Sequence, residues 1–229
     1  MSSCVEVMAI VEGNSEKLFI EKLVAPHLQT LNIFITPMLI SKSGQNGGDV
    51  KFSRAKNDIE KHLKQRRDTF VTIFIDYYGT KKDWPGLNLT DQEQQNFTSA
   101  QKAERVNTAT QQRVDELYGD YETHRRFIPY IAMYEFEALL FSHPQILADK
   151  LGVSHSRVKE IVSECGSPEN INNSSVTAPS KRLEHLSSQF KKTTTGIAVA
   201  QEIGLTCMRS KCPLFDAWLK RLEELSGPS

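Results

Sequence analysis

The 229-residue chain has few cysteines and little to staple it: Cys4, Cys165, Cys207 and Cys212 show no CxxC spacing and no nearby His pair. That pattern excludes a zinc knuckle and a disulfide framework, and leaves free thiols in a reducing cytosol as the expectation. Net charge is also missing, since 28 basic residues face 28 acidic ones. No global field attracts a polyanion, so a passive nucleic-acid coat is disfavoured and any nucleic-acid site must be a local patch. No apolar run approaches the ~18 residues of a membrane span, and "MSSCVEVMAIVEG" lacks a basic region ahead of its apolar run. A cytoplasmic protein is expected. The glycine-rich "SGQNGGD", Ser43 to Asp49, could approach a phosphate with bare amides, but it lacks the Gly-Lys-Ser/Thr ending of a P-loop, which argues against ATP hydrolysis by this chain. No Ser-His-Asp pattern is visible.

What is present is alternation. "CVEVMAIVEG" predicts a buried strand over Val5 to Val11, and Leu18, Phe19, Leu23 and Leu28 then recur at helical spacing behind an expected N-cap at Asn14 or Ser15. "NIFITPMLI" predicts a second strand, "FSRAKNDIEKHLKQR" a helix, and the run into Asp76 a third strand. A polar segment from Tyr77 to about Thr98 follows, with "DWPGLN" as a turn and Trp84 packing against the sheet edge. Then come the helix "SAQKAERVNTATQQRVDELYG", a fourth strand in "RRFIPYIAM", and a short helix in "YEFEALLFSHP" closed by Pro144. Strands alternating with helices predict an α/β fold, a mainly parallel sheet with helices on both faces. The α/β domain is placed at residues 1–143 and a helical C-terminal region packed beside it at 144–229, with Glu169 to Ser180 as its linker.

Ligands of such sheets sit outside the carboxyl ends of the strands, and this chain puts acids there. Strand one ends at Glu12, strand three at Asp76, and strand four leads into Glu135 and Glu137. Converging carboxylates raise one another's pKa, a cost that a divalent cation removes. Mg²⁺ fits best, with Mn²⁺ as a substitute, and the chemistry such a cluster serves is phosphoryl transfer. Glu16 lies in the first helical turn, where the macrodipole alone favours an acid. Residues i and i+2 of a helix point apart, so only one of Glu135 and Glu137 is expected as a ligand unless the segment is still extended.

The residues "VEGNSE", "IDYYG" and "YEFEALLFS" carry a resemblance. A strand ending in V-E-G, with another Glu four residues after the first, resembles the first motif of the Toprim domain, the α/β catalytic domain of topoisomerases, bacterial primases and OLD-type nucleases. Over nearly its full length the chain resembles a bacterial family of Toprim-related proteins with "VEG..E", "D.YG...PG" and "E.EA.LF" segments. That family's ending is matched here by "KTTTGIAVAQEIGLTCMRSKCPLFDAWLKRL", Lys192 to Leu222. The resemblance implies Mg²⁺-dependent cutting or joining of a phosphodiester backbone, with Glu12 as general acid, general base or metal ligand. Asp76 matches the first acid of the family's D-x-D motif, a metal ligand, while Tyr78 stands in place of the second. Glu135 or Glu137 would then supply the missing carboxylate, as a later acid does in OLD-type nucleases. Such relatives resemble partners of ABC-type ATPases in bacterial defence against phage.

In the C-terminal region, Lys181, Arg182, Lys191 and Lys192 flank two helix boundaries and Arg209 and Lys211 follow; runs of this kind form solvated faces unless they fold back onto an acidic edge. If this region does so, Lys192 would complete the site, with Lys181 and Arg182 toward a substrate phosphate. The stripe Leu214, Phe215, Trp218, Leu219 and Leu222 reads as core packing. The leading reading is a Toprim-like nuclease acting on DNA or RNA. Its site is Glu12, Asp76 and Glu137 or Glu135, assisted by Glu16 and Lys192, with a separate ATPase as partner and self-association left open. The alternative is a catalytically silent module that binds and regulates a partner protein or nucleic acid.

Overall fold

The computed structural model describes residues 4–41, 50–80, 83–172 and 177–227; the glycine-rich stretch Ser43 to Asp49 lies outside them. Four apolar runs form β1 (Val5–Val11), β2 (Ile33–Leu39), β3 (Thr69–Asp76) and β4 (Phe127–Ala132). They pair in parallel in the order β2-β1-β3-β4. Parallel pairing follows from the connections, because each stretch between strands is a helical crossover rather than a tight turn.

The first crossover is α1 (Asn14–Phe19), a π-helical turn at Ile20–Val24 and α2 (Ala25–Gln29). Pro26 explains the π turn: it has no N–H for an i−4 carbonyl, and the preceding Ala25 N–H reaches back five residues to Ile20 O. The second crossover holds α3 (Phe52–Gln65), and the third holds α4 (Asp91–Asn96), α5 (Ser99–Tyr118) and α6 (Thr123–Arg126). Beyond β4 come a 3-10 segment at Phe136–Ser142, then α7 (Pro144–Leu151), α8 (His155–Cys165), α9 (Pro179–Leu186), α10 (Ile197–Lys211) and α11 (Pro213–Glu223).

Strand alternation divides the core between two faces. Val7, Ala9 and Val11 of β1, Phe74 of β3 and Tyr130 of β4 face Phe19, Phe136, Phe215 and Trp218. Val71, Ile73 and Ile75 of β3 and Phe127 and Ile131 of β4 face Ile59, Leu63, Ala103 and Val106 of α3 and α5. The apolar stripe of α11 therefore lies on the first face, where the Trp218 and Tyr130 rings stack with centroids 5.0 Å apart. Trp218 Nε1–H donates to Thr72 Oγ1 at 2.9 Å, and that hydroxyl donates to Ile128 O at 2.6 Å. The Trp218 and Thr72 donors of this seam are thus satisfied.

Local readings need three corrections. Gly13, extended at φ −144°, is the N-cap of α1 rather than Asn14 or Ser15. Pro144 opens α7 instead of closing a helix: His143 Nδ1 accepts from Ile146 N–H, and the missing proline N–H costs nothing in a first turn. Glu169 is no linker residue, since it is buried and accepts from Leu214 N–H at 3.0 Å and Phe215 N–H at 2.9 Å, which caps α11. Trp84 is packed as expected, edge-on to Phe52 and donating to Thr110 Oγ1.

Candidate acidic site at the strand ends

The sheet runs outward from β1 in both directions, to β2 on one side and β3 on the other, so its strand order reverses between β1 and β3. The carboxyl ends of those two strands open the crevice where such sheets bind ligands, and Glu12 and Asp76 stand there. Asp76, at the end of β3, is 7% exposed, and its Oδ1 accepts the Phe136 amide at 2.7 Å. This bond ties β3 to the 3-10 segment behind β4. Glu12 follows β1 and lies against Gly79: a Cβ at position 79 would fall 1.9 Å from Glu12 Oε2. Glu12 Oε2 is buried and accepts no hydrogen bond among the described residues.

Glu16 is 5% exposed and folds back over the N-terminus of its own helix, with Oε2 3.0 Å from the Cβ that Gly13 lacks. That carboxylate takes the place which a capping side chain would fill. Glu137 is wholly buried in the 3-10 segment, and Lys192 Nζ approaches its Oε1 at 2.8 Å from the π turn Lys192–Gly196. Glu137 Oε2 has no hydrogen-bond donor among the described residues. Glu135 sits on the rim in extended backbone, φ −143°, ψ 155°, and its Oε2 accepts the Ser180 amide of α9 at 2.8 Å. Because Glu135 precedes the helical turns, it and Glu137 both adjoin the cluster, a pairing that a regular helix would forbid.

The electrostatics follow from burial. Glu12, Glu16 and Asp76 are all pushed above the ordinary carboxylate range, chiefly by desolvation and further by neighbouring carboxylates of the cluster, with Lys192 opposing. Glu137 is raised to about 7 by burial, against the pull of Lys192. Burial alone would lower the Lys192 ammonium, but Glu137, Glu135 and Asp76 outweigh it and hold the lysine charged. A carboxyl poised near neutrality, as Glu137 is, can give or take a proton there. Among the described residues, no three or more His, Cys, Asp or Glu side chains stand as a ready-made metal cage.

The other candidates have partners of their own. Lys181 pairs with Glu184 at 2.7 Å, and Arg182 donates to Thr177 O and lies 3.8 Å from Glu164. Tyr78, in the second-acid place, is half-exposed and tilts against Tyr134 with ring centroids 5.3 Å apart; burial raises its hydroxyl pKa. Sequence reading missed Gly79 and the Ser180 amide. The glycine of "DYYG" was a visible signal, whereas a backbone amide carries none.

No helix among the described residues is long and apolar enough to cross a membrane. Two solved structures of the C-terminal region of the Xanthomonas campestris pv. campestris OLD protein are similar to this chain. One shares 13% identity at a TM-score of 0.43 and the other 11% at 0.41, each comparison covering 96% of this chain and 95% of the other. No curated protein matches the sequence. A family model matches residues 11–223, nearly the whole chain, and the protein therefore belongs to the family described as domain of unknown function DUF4276.

Proposed function

We propose that the protein is a Toprim-like nuclease that hydrolyses phosphodiester bonds with Mg²⁺, as the effector of a separate ABC-type ATPase in bacterial defence against phage. The observation that carries this reading is the burial of Glu12, Glu16, Asp76 and Glu137 at the sheet's switch point, their pKa values raised, with orphan oxygens on Glu12 and Glu137. The motif resemblance supplies the nucleic-acid substrate and the ATPase partner. The donor set suits a hard divalent cation: all oxygen, with more carboxyl groups than the nearby ammonium can balance. Mg²⁺ keeps several waters and takes one or two carboxylates, so Asp76 and Glu12 suffice without a preformed cage. When bound, Mg²⁺ would stabilise charge on a phosphate oxygen and lower the pKa of a water. Glu12 would accept the proton of the attacking water, Glu137 would hold Lys192 in place, and Lys192 would meet the developing charge on phosphate.

The Lys192–Glu137 pair also favours a second reading, a silent module, because it partly neutralises the edge without any metal. Purified protein, with and without the ATPase, is incubated with plasmid DNA and with tRNA in Mg²⁺ or Mn²⁺. Cleavage should fall by roughly a hundredfold or more in both Glu12→Gln and Asp76→Asn. Undiminished cleavage in both variants would sink the assigned site, and binding without turnover would favour the silent module.

A further inference from the structure

Next to the acidic site, on the far side of Tyr134, a cleft of about 670 Å³ is lined by Phe97, Ser99, Lys102, Tyr134, Asn170 and Asn172. Its size is that of a small-molecule site. Lys102 is 6% exposed, and among the described residues its ammonium has no ion pair or hydrogen bond. The stem is packed, and the ammonium at its end is not itself enclosed and lines the cleft, as a snorkelling lysine does. Lys102 is also the fourth residue of the 20-residue α5, near the helix end whose macrodipole repels a cation and attracts an anion. Across the cleft, Asn172 Oδ1 is buried without a donor among the described residues. Ser99 Oγ reaches Tyr134 Oη at 3.3 Å, which leaves both hydroxyls able to make a further bond.

We propose that this cleft binds a nucleotide phosphate, with the Lys102 ammonium as its counter-ion and the Ser99 and Asn172 side chains as hydrogen-bonding partners. Resting on the nuclease reading, it would hold the strand one step from the bond to be cut, since Tyr134 immediately precedes Glu135 and packs on Tyr78. A phosphate there satisfies the unpaired cation at the positive end of α5, and the Asn172 amide can meet a ribose or base edge.

The test is binding in EDTA, so that cleavage plays no part. Fluorescence anisotropy with labelled single-stranded DNA and RNA across a NaCl series is run beside competition by a nucleoside monophosphate and by inorganic phosphate. Lys102→Met should weaken oligonucleotide binding roughly tenfold and lower the log–log salt slope by about 0.7. Lys102→Arg should bind close to wild type. Asn172→Asp, which places a negative charge in the cleft, should weaken binding while leaving the buried lysine stem in place. If mononucleotide or inorganic phosphate alone shows the Lys102 dependence, the site stands as one for a free phosphate ligand. If Lys102→Met and Asn172→Asp match wild type in affinity and slope, or wild type binds none of these probes, the site is overturned. Lys102-dependent binding in a protein that never cleaves would retain the cleft and remove the nuclease. Cleavage that depends on Glu12 with binding indifferent to Lys102 would do the reverse.

Discussion

Gly79 has no functional group, yet it sets where Glu12 can lie. A methyl at position 79 would overlap Glu12 Oε2, the far end of a flexible side chain, rather than backbone. Gly79→Ala should therefore displace the carboxylate at little cost to folding. Cleavage is expected to fall toward the Glu12→Gln level while stability changes by no more than about 1 kcal/mol; equal losses in both measurements would make Gly79 a folding residue instead. Lys192 poses the opposite problem, because its neighbour Glu137 is wholly buried and titrates near 7. Well above pH 7, where Glu137 ionises even without the lysine that lowers its pKa, Lys192→Met leaves a buried carboxylate without its cation, and a loss of about 1–3 kcal/mol is expected. At pH 5 the same carboxyl carries a proton, and the loss should nearly vanish. Chemical denaturation at the two pH values tests this, and a pH-independent loss would mean that the lysine acts through its packed stem.

At the scale of elements, α11 depends on a residue more than forty positions away. Glu169 accepts the amides of Leu214 and Phe215 and so fixes the start of the helix that lays Phe215 and Trp218 on the sheet. Glu169→Ala should cost about 1–2 kcal/mol, read by urea titration with Trp218 as one of the fluorophores; an unchanged midpoint would show that packing alone holds the helix. The strands were legible in the sequence because each is a mostly apolar run, and β1 and β3 end at acids, while the exit from β4 leads to two more, which periodicity cannot explain. The cap was not legible, since nothing in "SPEN" points to residues 214 and 215. The same limit hid Lys102, which reads as an ordinary charge on a solvated helix until Tyr134 and Asn172 line a cleft beside it. For Glu135 and Glu137 the sequence left open whether the segment is helical or extended, and the chain at Glu135 is extended.

For the whole molecule, the buried acids couple folding to pH and to metal. Glu137 titrates near 7 in the fold against 4.5 when free, and Glu169 does likewise through burial, so between those values the folded chain holds protons that the unfolded chain has released. Glu12, Glu16 and Asp76 shift in the same direction. The contribution of Glu137 and Glu169 to stability is present below about pH 4.5 and is lost as pH rises through about 7. In stronger acid, Asp216, held low by Lys220 and Arg209, takes up a proton and gives up those pairs. Without divalent cation the Tm should therefore peak in mildly acidic buffer and decline toward pH 8. A cation that needs the carboxylates ionised should reverse that decline, since metal binding and proton release are linked. Mg²⁺ at ten times its Kd should add about 1.4 kcal/mol at pH 8, roughly 3–6 °C in Tm for a chain of this size. At pH 5 it should add almost nothing, and in Glu12→Gln the pH 8 gain should shrink. A Mg²⁺ shift of equal size at both pH values, and unchanged in the variant, would place the ion elsewhere on the protein and leave the acidic edge without its metal.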